Sequence, residues 1–281
     1  MGKYFRPIMI VVFYFLSIMI GSFLILILLM LFDYDSFNFT FEEPDCGANY
    51  LELMSHYAFC VPIIAGVLTL TMVRVMKMTD FKGAFSRENI SWSSAWIPVL
   101  GIFFIMYAFD LLLSDILGIS STVKMQNDNL HAFETLGGVL CIFIGAILEE
   151  LIFREAIIKD MMSNGATAKL AIVFSAICYG ILTFDLYYIL TRFLLGIFLG
   201  IVYLKTKSVI LNCIIAIFLS YVSLVARFVF GTDELMLGFP IYYDLALMLL
   251  LIYPAYRLLL YYWNELLPSE KKAELEKLVS K

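Results

Sequence analysis

Eight long apolar runs leave this chain few architectures to choose from. They lie at roughly 7–32, 51–76, 94–118, 132–157, 168–185, 187–204, 208–230 and 240–263. A helix needs about 20 mostly apolar residues to cross the hydrocarbon of a bilayer, and most of these runs reach that length. With 62% of 281 residues apolar and only 15% charged, a soluble domain could not hide the apolar surface. The expected fold is all-α: a polytopic membrane protein of eight transmembrane helices. The first run is too long for a signal-peptide core and no early cleavage site follows it, so it reads as a retained span.

Orientation follows from Lys and Arg in the short loops. Lys3 and Arg6 precede the first run, and Arg74, Lys77, Lys82 and Arg87 join the second and third. Lys159 and Lys169 lie between the fourth and fifth, Lys205 and Lys207 between the sixth and seventh, and Lys271, Lys272, Lys277 and Lys281 in the tail. The alternate loops are acidic or nearly neutral, with Asp33, Asp35, Glu42, Glu43 and Asp45 in the first and Asp233 and Glu234 in the last. Every basic loop falls on one side, so both termini are expected in the cytoplasm, with the protein in the plasma membrane. The net charge of −5 argues against nucleic acid as a partner. Of the five cysteines, Cys60, Cys141, Cys178 and Cys213 sit within runs and read as small apolar residues; there is no CxxC pair.

Charge inside a span is expensive and marks a candidate functional site. The fourth run carries Glu149-Glu150-Leu-Ile-Phe-Arg154. Adjacent residues point about 100° apart on a helix, so only one of the two acids can share a face with Arg154. Glu150, four residues earlier, has the better spacing for an ion pair. Glu149 is then left over, and a lone, partly buried carboxylate suits a general base acting on water. Other polar interruptions are Asp110, Arg192, Asn212, Ser220, Arg227 and Asp244. Asp185 and Arg192 stand two turns apart on one helical face, and mutual neutralisation or snorkelling is the plain account of them. A transport path through Asp110, Asp185 and Arg192 lacks the repeated, broken spans that usually accompany one.

The stretch around Glu149 resembles the CPBP family of CAAX-protease and bacteriocin-processing membrane proteins, also called Abi or type II CAAX endopeptidases. Its first motif, Glu-Glu, three residues, then Arg, is matched by Glu149, Glu150 and Arg154. Its Tyr-Leu-x-Thr-x-Ser stretch is matched by Tyr203 to Ser208, after a helix with glycines at 196 and 200. The likeness covers about 100 residues and implies a CAAX-protease-like bundle that hydrolyses a peptide bond with glutamate-activated water, helped by two histidines. Both histidines are missing. The Phe-x-x-x-His motif falls at Tyr179 and Thr183, and the His-x-x-x-Asn motif at Ala216 and Ser220.

The chain has two histidines, His56 and His131. His131 precedes Glu149 by 18 residues, or about 27 Å of helix, and His56 lies on the same external side. Neither can replace the missing pair without a severe break in these helices.

Three segments follow: 1–131, N-terminal helices with an external acidic loop at 33–50; 132–230, the CPBP-like core; and 231–281, a last helix and charged tail. Two carboxylates without imidazole do not make a usual zinc set, so neither metal nor other cofactor is expected. Two functions remain open. One is a catalytically degenerate homologue, a pseudoenzyme acting as a scaffold, regulatory or immunity partner of other membrane proteins. The other is an intramembrane protease cleaving a peptide substrate, with Glu149 as base and the Thr183 and Ser220 hydroxyls standing in for imidazole.

Overall fold

The computed structural model describes residues 4–32, 59–78, 81, 83–87, 90, 92, 95–119, 136–183, 185–230 and 241–265. His56, His131, the 33–50 loop and the 268–281 tail lie outside these residues, as do the side chains of Arg227 and Asp244. The described residues are helical apart from turns and short linkers. Among the described residues eight long helices follow one another, one in each apolar run: α1 (Phe5–Phe32), α2 (Cys60–Val75), α3 (Trp96–Leu111), α4 (Leu136–Glu150), α5 (Ala168–Ile181), α6 (Leu186–Thr206), α7 (Ile210–Phe230) and α8 (Ile241–Glu265). Helix α3 runs on through a π-helical turn, Leu112–Ile116. Helix α4 continues through a longer π-helical segment, Leu151–Ile158, into a last α-helical turn, Lys159–Ser163. By length and composition three stretches can cross a membrane: Phe5–Leu28, Leu136–Ser163 and Leu186–Thr206. The other apolar helices are shorter in their described parts, 10–17 residues each.

The helices form two units. Helices α3 and α8 make one, joined where Gly101 approaches Leu259 and the backbone of Ala255. Asp110 belongs to this unit. Helices α1, α2 and α4 to α7 make the other, which carries all the residues of the first motif.

The centre of that larger unit is the π-helical segment. Every residue from Leu151 to Ile158 is buried, Arg154 and Glu155 included. Widening the helix changes which carbonyls its own amides satisfy, and such segments occur most often at functional sites. Here the Phe153 carbonyl accepts a 2.8 Å bond from the buried Ser175 hydroxyl on α5. Phe153 packs between Tyr14 of α1 and Tyr179 of α5, its ring centroid 6.0 and 5.2 Å from theirs.

Helices α5 and α6 lie unusually close because glycines face the contact. A Cβ on Gly196 would stand 2.9 Å from the Ala176 Cα, and one on Gly200 2.9 Å from the Ile172 side chain. The chain enters α6 through Asp185, whose carboxylate accepts from the amides of Tyr187 and Tyr188 at 3.0 and 3.3 Å, an N-cap. It leaves through Lys207 in the left-handed conformation, φ 53°. The Thr206 and Ser208 hydroxyls hold that turn. Thr206 Oγ1 accepts from the Ser208 amide at 3.3 Å, and Ser208 Oγ accepts from the Ile210 amide at 3.3 Å and donates to the Ala84 carbonyl at 3.2 Å. The Thr-x-Ser pattern is thus a corner that starts α7 and pins the linker after α2.

Candidate functional site

Glu150 and Arg154, one turn apart, face each other across the junction of α4 with its π-helical continuation. Arg154 Nε is 3.2 Å from Glu150 Oε2, and both side chains are fully buried. The separation is that of an ion pair, yet no Arg154 N–H is aimed well enough to make a hydrogen bond to any described residue. The guanidinium lies instead 4.7 Å from the Tyr179 ring centroid and 5.9 Å from that of Phe153. Desolvated cation–π contacts of this kind contribute about 2 kcal/mol. Asn212 of α7 completes the group: its amide donates to Glu150 Oε2 at 3.1 Å and to the Leu199 carbonyl at 2.8 Å. Glu150 Oε1 and Asn212 Oδ1 are buried without a hydrogen-bond partner among the described residues.

Glu149 is not left over, as the spacing on its own helix suggests. Arg192 of α6 reaches it, Nη1 to Oε1 at 3.5 Å. Arg192 also lies 5.2 Å from the Tyr179 ring centroid, so one tyrosine ring carries both guanidiniums. Two acids and two guanidiniums therefore meet around Tyr179, and the summed charge is zero. The expected partnership of Asp185 with Arg192 gives way to a division of labour, because Asp185 caps α6 while Arg192 turns to Glu149. Helix spacing gives no sign of a partner 43 residues away.

The positions at which the resemblance leads one to expect imidazole and asparagine hold quieter groups. Thr183 donates its hydroxyl hydrogen to the Gly180 carbonyl at 2.8 Å, and Ser220 donates to the Ala216 carbonyl at 2.9 Å. Both hydroxyls are spent on their own chain turn, as Ser and Thr in helices commonly are. Ala216 is a buried methyl. In this structure neither hydroxyl donates to Glu149 or Glu150.

A second polar group, absent from the sequence reading, lies one turn further along. Glu155 is buried, pairs with the half-exposed Lys159, and accepts a 2.7 Å bond from the Tyr203 hydroxyl. The i,i+4 spacing of Glu155 and Lys159 was visible in the sequence; Tyr203, 48 residues away, had no local signal. Asp160 is likewise buried, and Arg6 of α1 lies 3.8 Å from its carboxylate. Among the described residues, no three His, Cys, Asp or Glu side chains converge as metal ligands.

These features define a helical membrane protein with a buried, charge-compensated carboxylate centre. Residues 131–222 match the family model described as type II CAAX prenyl endopeptidase Rce1-like, a match consistent with the CAAX-protease family. The match covers about a third of the chain and contains every residue of the two-acid, two-guanidinium group. No curated protein and no solved structure matches the chain.

Proposed function

We propose that the chain is a catalytically degenerate Rce1-like membrane protein, a pseudoenzyme serving as a scaffold, regulatory or immunity partner for another membrane protein. One observation carries this reading: each motif carboxylate already holds a guanidinium, while the imidazole positions offer a methyl and a hydroxyl spent on its own helix. Water activation needs a free acceptor facing the substrate and donors for the developing oxyanion. Loss of one such donor alone costs about 3 kcal/mol of transition-state stabilisation. The proposal includes eight spans, both termini in the cytoplasm and residence in the plasma membrane, supported by the one-sided Lys and Arg loops. Its functional core is the 132–230 segment.

Incubation of purified protein with prenylated CAAX peptides and leader peptides, followed by time-resolved mass spectrometry, tests the reading. No product above background is expected. Product that vanishes in Glu149→Ala promotes the intramembrane endopeptidase instead. That second reading, with Glu149 as the base, draws on the partial exposure of the Glu149 side chain and on its single 3.5 Å contact with Arg192.

A further inference from the structure

The two carboxylate–guanidinium pairs are built differently. Glu150 and Arg154 are sealed, whereas the Arg192 side chain is 35% exposed and that of Glu149 19%. The outer pair is also loose. Its single contact spans 3.5 Å, against about 2.7–2.9 Å for a well-formed charge-assisted N–H···O bond. A guanidinium carries five N–H donors in a fork that matches a carboxylate two bonds at a time. Among the described residues Arg192 uses one donor, on Glu149.

The fork is nevertheless oriented. Its carbon lies 5.2 Å from the Tyr179 ring, which is fixed in turn by edge contact with Phe153. The receptor is thus preorganised while its present partner is held by one long bond, an arrangement suited to exchange. What can exchange is limited by place. Arg192 stands six residues into an apolar helix of membrane-spanning length, about 9 Å from its first residue. A free, hydrated anion would have to shed its water to reach it. An anion carried on an apolar body partitions into that layer already. The group on the fork in this structure is itself a carboxylate, which argues for a like replacement.

We propose that Arg192 is a receptor for the carboxylate of a membrane-resident amphiphile, a fatty acid or the C-terminus of an apolar peptide, which exchanges for Glu149. Binding then releases Glu149, so occupation of Arg192 and closure of Glu149 are opposite states. The inference goes beyond the degenerate reading and requires no bond cleavage. It rests only on Arg192 closing Glu149.

The test uses the full chain in nanodiscs of zwitterionic lipid, with ligand affinity measured by microscale thermophoresis. The probes are oleic acid against oleyl alcohol, and a short apolar peptide with a free C-terminus against its amide. At least one acid should bind about tenfold or more tighter than its neutral analogue, the smallest effect expected of hydrogen bonds to a charged group. The acid that does so identifies the source. Arg192→Gln should abolish the preference, and Arg192→Lys, which keeps the charge without the fork, should retain part of it.

Glu149→Gln should strengthen acid binding, because the competitor for the fork is gone. That sign separates a receptor from a purely structural pair, in which Glu149→Gln and Arg192→Gln would weaken binding alike. Equal affinity for acid and neutral analogue in both series overturns the proposal, as does weakened acid binding in a folded Glu149→Gln variant. Proteolysis accompanied by acid-selective binding would refute the degenerate reading and leave this one standing.

Discussion

Removing either half of the Glu150–Arg154 pair should destabilise the protein, and the two losses should depend differently on pH. Both side chains are fully buried, and breaking such a pair by removing one partner costs about 3–5 kcal/mol. Arg154→Met leaves a carboxylate whose hydrogen-bond donor among the described residues is the Asn212 amide. A lone carboxylate can escape by taking a proton. That escape costs about 1.36 kcal/mol for each pH unit above its ordinary value near 4.3, or about 3.7 kcal/mol at pH 7 and about 1.6 at pH 5.5. Glu150→Gln leaves a guanidinium, which cannot lose its proton. The folded Arg154→Met variant binds a proton that its unfolded chain releases above pH 4.3, so its stability falls as pH rises. Relative to wild type at each pH, acidification from 7 to 5.5 should recover about 2 kcal/mol for Arg154→Met and little for Glu150→Gln. Glu150→Gln with Arg154→Met removes both charges, and its loss should be smaller than the sum of the single losses by about 2 kcal/mol or more. Reversible unfolding in mixed micelles by denaturing detergent measures all four corners. Additive losses, or pH recovery in Glu150→Gln rather than Arg154→Met, would refute the pairing argument.

Three further outcomes follow from the packing. Tyr203→Phe removes the donor to the buried Glu155 and should cost about 1.5–3 kcal/mol in the same unfolding assay, the usual value of a hydrogen bond to a charged group. Gly196→Val forces a Cβ to within 2.9 Å of the Ala176 backbone and should lower stability by about 1–3 kcal/mol, while valine at the exposed Phe143 should change it little. A single cysteine replacing the exposed Phe85 should react with an impermeant maleimide in inverted vesicles but not in intact cells; labelling from outside would reverse the proposed orientation.

What was legible in the sequence was whatever depends on near neighbours. The apolar runs, the Glu150 to Arg154 spacing and the glycines at 196 and 200 all act through one helix turn or one helix face. The structure puts each to use in that way. What was not legible depends on which helix lies beside which. Arg192 was visible as an anomaly in an apolar run but not as the partner of Glu149, because its pairing is fixed by the approach of α6 to α4. Asn212 was noted as a polar interruption, yet its bond to Glu150 spans 62 residues. Tyr179 appeared only as the residue standing where a related motif has Phe, with nothing to indicate that two guanidiniums would share its ring.

On the degenerate reading proposed above, the same reasoning explains how the two acids can stand without imidazoles beside them. In an aqueous active site, two glutamates without their helpers could drift to any polar residue at little cost. At the centre of an apolar bundle, each change that leaves one partner behind strands a charge in low dielectric. Glu150 and Arg154 must therefore be kept or lost together, with Asn212, which donates to the acid, and Tyr179, which carries the cation. On that degenerate reading, stability alone is enough to keep these charged residues. The presence of Glu149 and Glu150 is then weak support for catalysis, and the difference between the two carboxylates, one sealed and one partly exposed, says more about what the site can bind.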